Sequence, residues 1–272
     1  MPAGYDGACT VLNKWIYPYY SHHNKLVITI FNRQSGQSGS GKTRLCQKIL
    51  SEKLYNEPAS QIILCLPKNS AHLLKETIEN YKAACQDIKI HEGIPDPDFL
   101  NLSSDSPHQI IIFDDLALGI NNDPKICELM IFSSRKANLS VITITQNMFQ
   151  NSRYGLTIRR QMTYYIIFNS FGDTALISNL NRMFYQAKGN ILHQSFSLLA
   201  NYEKNPFKQY ILLDCHQRSP FPRSLKLRTN IFDLKEPYFF VIDDWFATIC
   251  LIHTAWLILF VHNFGGVNPK VQ

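Results

Sequence analysis

The sequence has no C-x-x-C pair, and its seven cysteines, at positions 9, 46, 65, 85, 127, 215 and 250, are scattered and odd in number. That pattern argues against a disulfide framework or a zinc ribbon and points to a reducing, intracellular setting. His22-His23 stands too isolated from any cysteine to read as a metal site. No basic stretch followed by an apolar run opens the chain at Met1-Pro2-Ala3-Gly4, so no secretory signal is expected. Repeats with a period of about 20–50 residues are absent, as are low-complexity linkers through the middle.

What is there suits a globular enzyme or binding domain. With 272 residues, 45% of them apolar, the chain buries a sizeable core without staples, and wholesale disorder or a fibrous architecture is excluded. There are 27 basic against 21 acidic residues, a formal charge of +6. That mild excess suits a polyanionic partner without requiring one.

Short β-branched apolar runs recur: Leu26–Phe31, Gln61–Leu66, Gln109–Phe113, Ser140–Thr145, Tyr164–Phe168 and Gln209–Leu213. They are continuous rather than alternating, the pattern of parallel strands buried on both faces. Helical patterns lie between them, over Thr43–Leu54, Ser70–Cys85, Pro124–Ser133 and Thr174–Gln186, with Ser70 placed as an N-cap. The expected fold is α/β, a mostly parallel central sheet flanked by helices. Its core is expected over residues 24–235, after an N-terminal extension (1–23) and before an apolar C-terminal tail (236–272). Within that tail, Trp245 to Val261 is seventeen residues without a formal charge. A bilayer span needs about 20 apolar residues, so a buried helix, a tail anchor and sequence foreign to the domain all stand open, and a membrane is not favoured.

Gly36-Gln37-Ser38-Gly39-Ser40-Gly41-Lys42-Thr43 matches G-x-x-x-x-G-K-[ST]. Small residues let successive backbone N–H groups turn toward phosphate oxygens, and the following helix adds its positive end. Lys42 would supply a point charge to the β- and γ-phosphates of ATP, and Thr43 a hydroxyl to Mg²⁺. Chance yields the pattern about once per hundred chains of this length, and a strand before it with a helix after it strengthens the reading. Asn32-Arg33-Gln34-Ser35 intervene between the strand and Gly36.

Ile110-Ile111-Ile112-Phe113 ends in Asp114-Asp115. Two adjacent acids closing an apolar strand are costly without a cation. Asp114 is expected to bind Mg²⁺ through water, and Asp115 to polarise the attacking water. A glutamate is more usual in that second role, and aspartate is one methylene shorter. A third strand, Ser140–Thr145, ends in Gln146, expected beside the Asp114 strand where an amide senses the γ-phosphate or the water. Arg135 and Lys136 precede that strand, and Arg135 is a candidate to stabilise transition-state charge on a neighbouring subunit's nucleotide. Arg153, Arg159 and Arg160 are rivals for that role.

The order GQSGSGKT, IIIFDDL, SSRKANLSVITITQNMF, RRQMTYYIIF and YILLD…LKLRTNIF resembles the viral genome-packaging ATPases of the FtsK/HerA superfamily of P-loop NTPases. Within them it is most similar to the poxvirus-type branch shared by large DNA viruses and Polinton/Maverick elements. The resemblance covers roughly residues 24–235. It implies an extra strand between the glycine-loop strand and the Asp114 strand, and a homo-oligomeric, hexameric ring driving double-stranded DNA into a capsid. It also implies a capsid or portal partner, and a place in the host nucleus, a cytoplasmic virus factory or the virion. Lys42 and Thr43 fall on the family's nucleotide loop, Asp114 and Asp115 on its acidic pair, Gln146 on its polar sensor. Many relatives have histidine where Lys136 stands and no spacer where Asn32–Ser35 stand.

A translocating ring needs exchangeable phosphate contacts. Residues 203–235 carry Lys204, Lys208, Arg218, Arg223, Lys226, Arg228 and Lys235 against Glu203, Asp214 and Asp233, a local excess of +4 (7 − 3). No base-reading module is present, as sequence-neutral tracking of DNA requires. Two other readings remain: a P-loop small-molecule kinase, and a nucleotide-binding relic without turnover.

Overall fold

The computed structural model describes residues 27–31, 41–53, 59–85, 87–96, 107–133, 138–146, 148–149, 151–168, 174–185, 190–205, 208–216, 227–232, 238–242 and 247–251. Its first five strands are β1 (Val27–Phe31), β2 (Gln61–Leu66), β3 (Ile88–Glu92), β4 (Gln109–Asp114) and β5 (Leu139–Thr145). Then come β6 (Tyr164–Phe168), β7 (Tyr210–Asp214), β8 (Leu227–Thr229), β9 (Tyr238–Ile242) and β10 (Ala247–Leu251). The helices are α1 (Lys42–Ser51), α2 (Lys75–Ala84), α3 (Ala117–Ile120), α4 (Pro124–Ser133), α5 (Gly155–Gln161), α6 (Thr174–Tyr185) and α7 (Ile191–Tyr202).

All ten strands join one sheet in the order β10-β9-β8-β7-β6-β1-β5-β4-β2-β3. From β6 to β3 every pairing is parallel, and from β6 outward to β10 every pairing is antiparallel. Inside its edge strand β3 the parallel part is apolar on both faces, which is why those strands read as unbroken runs. Ile62, Leu64 and Leu66 pack on one side with Leu45, Cys46, Ile49 and Leu50 of α1 and Tyr81 of α2. Ile63, Cys65, Ile111 and Phe113 face the other side, against α4, α5, α6 and α7. The buried α1 residues at 45, 46, 49 and 50 recur at one-turn spacing, so one stripe of that helix carries its attachment to the sheet.

The α/β class with a mostly parallel sheet and flanking helices is as expected. β5 lies between β1 and β4, which places the extra strand that the family resemblance implies. Two local expectations need correction. The run at Gln209–Leu213 is not parallel: β7 pairs antiparallel with β6. Two helices, α6 and α7, connect these strands and carry the chain down and back, returning it to the end it left. An unbroken apolar run reports burial on both faces and not direction. Ser70 is not a helix N-cap, because its hydroxyl donates to the Pro67 carbonyl and its own carbonyl accepts from Leu73 and Leu74 N–H at 2.9 and 3.1 Å. That turn delays α2 to Lys75. Within the apolar stretch 245–261, for which the sequence leaves a buried helix, a tail anchor and foreign sequence open, Ala247–Leu251 form the strand β10, paired antiparallel with β9. Both strands lie beyond residue 235 and extend the same sheet, and residues 252–261 lie outside the described ones.

Candidate nucleotide-binding site

Three chain segments bring the sequence-marked residues to one edge of the sheet. α1 opens at Lys42 behind Gly41, whose φ of 83° is left-handed and whose carbonyl accepts from Leu45 N–H at 2.8 Å. Glycine adopts that conformation without a Cβ penalty. The chain can therefore turn from the loop straight into a helix, with Lys42 and Thr43 in its first turn. β4 ends at Asp114 and β5 ends one residue before Gln146, side by side in parallel register, with Asp114 opposite Ile144. Carboxyl ends of parallel strands at a point where the strand order reverses are where α/β sheets bind ligands. β1 is central here, with the chain crossing from β5 on one side to β6 on the other.

Thr43 Oγ1 donates to Asp114 Oδ2 at 3.5 Å, and Gln146 Nε2 donates to Asp115 Oδ2 at 3.5 Å. Both contacts are longer than the ~2.8–3.0 Å of a good hydrogen bond. Asp115 is exposed, with a left-handed φ of 57°. Its N–H still donates to the Ile144 carbonyl at 3.0 Å, so the β4–β5 ladder fixes the acid's backbone while its side chain leaves the sheet.

Electrostatically the edge is unsettled. Burial, and next the neighbouring Asp115 charge, push the Asp114 carboxyl up to about 6, while Lys42 and the Thr43 hydroxyl pull the other way. Burial also lowers the Lys42 ammonium, against the attraction of Asp114 and Asp115. A like charge beside a carboxyl withdrawn from water favours that carboxyl's protonation. A hard divalent cation with oxygen ligands would answer the same charge. Thr43 and Asp114 therefore fit Mg²⁺, and would be the residues that hold it.

These residues line one wall of an open cleft of about 970 Å³, which also takes in Arg44 and Gln47 of α1. Its far wall comes from the turn after β2 and from α2, including Ser70, Leu73, Glu76, Thr77 and Asn80. Leu73 is exposed at the rim. Nothing in the sequence marks this wall, since its residues are of unlike chemistry and the turn reads as part of a helix.

Not every expected residue falls here. Gly36, Gln37, Ser38, Gly39 and Ser40 lie outside the described residues, as do Arg135 and Lys136. Arg153 and Arg160 are exposed, Arg153 lying 5.4 Å from the Tyr154 ring centre. Arg159 is half-buried and engaged within its own subunit: its Nη1 donates to the Met148 carbonyl at 3.0 Å, and its guanidinium sits 5.3 Å from the Phe149 ring centre. Both contacts are to residues of its own chain. Arg228, counted with the basic stretch, pairs with Asp214 at 3.4 Å, their side chains 11% and 1% exposed. It is therefore not part of a solvated basic face. Lys204 and Lys208 are exposed, and Arg218, Arg223, Lys226 and Lys235 lie outside the described residues.

The glycine-capped helix, the acid-ended β4 and the intervening β5 make this an α/β fold of the P-loop NTPase type with an additional strand. No protein-family model and no curated protein sequence matches the chain. Among solved structures it is similar to the genome packaging NTPase B204 from Sulfolobus turreted icosahedral virus 2 in complex with sulfate, at 16% identity and a TM-score of 0.42 over 72% of this chain and 94% of that one. It is also similar to B204, the DNA-packaging ATPase from Sulfolobus turreted icosahedral virus, at 16% identity and a TM-score of 0.43 over 71% and 94%. A third similar structure is the flagellar accessory protein FlaH from Methanocaldococcus jannaschii, at 20% identity and a TM-score of 0.36 over 60% and 80%.

Proposed function

We propose that the chain is an ATP-hydrolysing DNA translocase that packages the double-stranded genome of a virus or virus-like element, in motif order most similar to the poxvirus-type and Polinton branch. The observation that carries this reading is the convergence of Lys42, Thr43, Asp114, Asp115 and Gln146, from three separate segments, on one wall of a single cleft. Lys42 and the Gly36–Thr43 backbone grip the triphosphate. Thr43 and Asp114 hold Mg²⁺, which when bound neutralises phosphate charge. Asp115, exposed into the cleft, orients the attacking water and accepts its proton. Gln146, already within reach of Asp115, registers loss of the γ-phosphate. Arg135 of an adjacent subunit completes the charge stabilisation in a hexameric ring, and a capsid or portal protein receives the DNA. The protein acts inside the host cell or on the virion. Among the described residues no helix is long and apolar enough to cross a membrane.

The test is ATP turnover by the full chain with and without double-stranded DNA, at rising salt. DNA should stimulate hydrolysis, and its affinity should fall steeply as salt is raised, because binding phosphates releases counterions. A flat salt response counts against the motor. Transfer of phosphate to a nucleoside would point to a kinase, and ATP binding without turnover to a relic.

A further inference from the structure

The segment after Gln146 is tied down at both ends. At its start, Arg159 of α5 donates Nη1–H to the Met148 carbonyl at 3.0 Å and lays its guanidinium against the Phe149 ring. At its end, Tyr154 N–H donates to the Asn121 carbonyl at 2.9 Å and Arg153 N–H to Asn122 Oδ1 at 3.1 Å. Asn121 and Asn122 follow α3, the short helix that leaves Asp115. The two segments that exit the acidic strand and the amide strand are thus stitched together at Tyr154 and Arg153, while Arg159 ties the amide strand's own exit, at Met148 and Phe149, back to α5.

Arg159 is itself held. Its carbonyl accepts the Tyr165 hydroxyl at 2.6 Å, which fixes the end of α5 to β6. Its guanidinium passes close over Gly155, where an added Cβ would stand 3.2 Å from Nη1 and collide with the Ser152 hydroxyl. The first obstacle to a side chain at 155 is thus the Ser152 hydroxyl, with the arginine crowded to a lesser degree. With Thr145, Met148 and Met162, Arg159 lines a small cavity of about 30 Å³ under the end of β5. A guanidinium that donates to a carbonyl and stands within cation–π reach of a neighbouring ring holds the segment at two points.

We propose that Arg159 is the positioning residue for Gln146: by holding the Met148 carbonyl and the Phe149 ring from within the same subunit, it sets where the amide stands relative to Asp115. This rests on the reading of Gln146 as the sensor of the γ-phosphate. Arg159 touches neither nucleotide nor water in this role. Its removal frees the amide without disturbing the phosphate grip on the α1 side.

Turnover and nucleotide affinity of Arg159→Ala, Gln146→Ala and the double variant decide it, together with hydrogen exchange on the nucleotide-free full chain. Arg159→Ala should lower kcat about tenfold with KM for ATP changed less than twofold. The double variant should be no slower than Gln146→Ala alone, since the two residues act as one unit. The amides of Thr145, Gln146, Met148 and Phe149 should exchange at least tenfold faster in Arg159→Ala, with those of 109–114 unchanged. Additive losses, a rise in KM with kcat intact, or unaltered exchange at 145–149 would overturn the proposal. Should Arg159→Ala fail to fold, Phe149→Leu removes the aromatic face that the guanidinium meets and should give the same pattern at smaller size. If the wild-type chain hydrolyses no nucleotide, the proposed function falls, while the exchange measurement still decides whether Arg159 holds this segment.

Discussion

Among the described residues two aspartates end apolar strands, and their fates differ. Asp214 closes β7, is 1% exposed, and is answered within the protein: Arg228 of β8 stands 3.4 Å away, and the backbone N–H of His216 donates to it at 2.9 Å. Asp114 closes β4 and has a second acid as its chain neighbour, a long contact to Thr43, and a lysine whose own charge is disfavoured by burial. Both follow the same kind of apolar run, IIIFD and YILLD. The difference lies in whether the fold supplies the countercharge itself or leaves it to a ligand. An acid at a strand end becomes a site only in the second case.

The sharpest break between the two regions should come from chemistry. Lys42→Ala should weaken ATP binding by at least about a hundredfold, read with a fluorescent nucleotide, and abolish turnover. Asp115→Asn should bind ATP within a fewfold of wild type and lose about 10²–10⁴ in turnover, the range of a general base. If Asp115→Asn turned over normally, the acidic edge would be no more than a polar strand end.

Next in size is the other aspartate. Asp214→Asn leaves a buried guanidinium with a neutral partner and should destabilise the protein by about 3 kcal/mol in urea unfolding. Its nucleotide affinity should stay unchanged. A loss of affinity there would mean that the antiparallel half of the sheet is coupled to the cleft.

The smallest effect is a pH dependence at Asp114. A carboxyl raised to about 6 keeps its proton in the folded chain at pH values where the unfolded chain has lost it. Its contribution to stability is therefore greatest below about pH 4 and is lost as pH rises through 6. Asparagine carries no such charge. Without nucleotide and in chelator, Asp114→Asn should match wild type near pH 4 and exceed it by about 1–2 kcal/mol at pH 8. Added Mg²⁺ and ATP should reverse that order. Equal stability at both pH values would put Asp114 with Asp214, as an acid satisfied by its own fold.

Much of this was readable beforehand, for physical reasons. β2 and β6 have the bounds that their apolar runs predict, because both faces of those strands are covered and no polar residue interrupts them. The chemistry sits at the ends of such runs, so Lys42, Asp114, Asp115 and Gln146 could be named. β3 escaped because it is the sheet's edge strand: Ile88-Lys89-Ile90-His91-Glu92 is partly exposed and carries no continuous run. The helix α7 escaped for the opposite reason. It has no charged residue within it, and its buried Ile191, Leu192, Phe196 and Leu199 blend into an apolar stretch. Arg159 was visible as an arginine but not as a strut, because its partner is a backbone carbonyl eleven residues away, and a carbonyl leaves no mark in a sequence.

The backbone twist at Asp115 has a further consequence. A φ of 57° is one that aspartate, asparagine and glycine accept far more readily than longer side chains do. The shorter acid is therefore the one this main chain carries with less strain at its water-facing corner. Replacing it with glutamate would extend the carboxylate's reach by one methylene, but only by relaxing the turn that aims it.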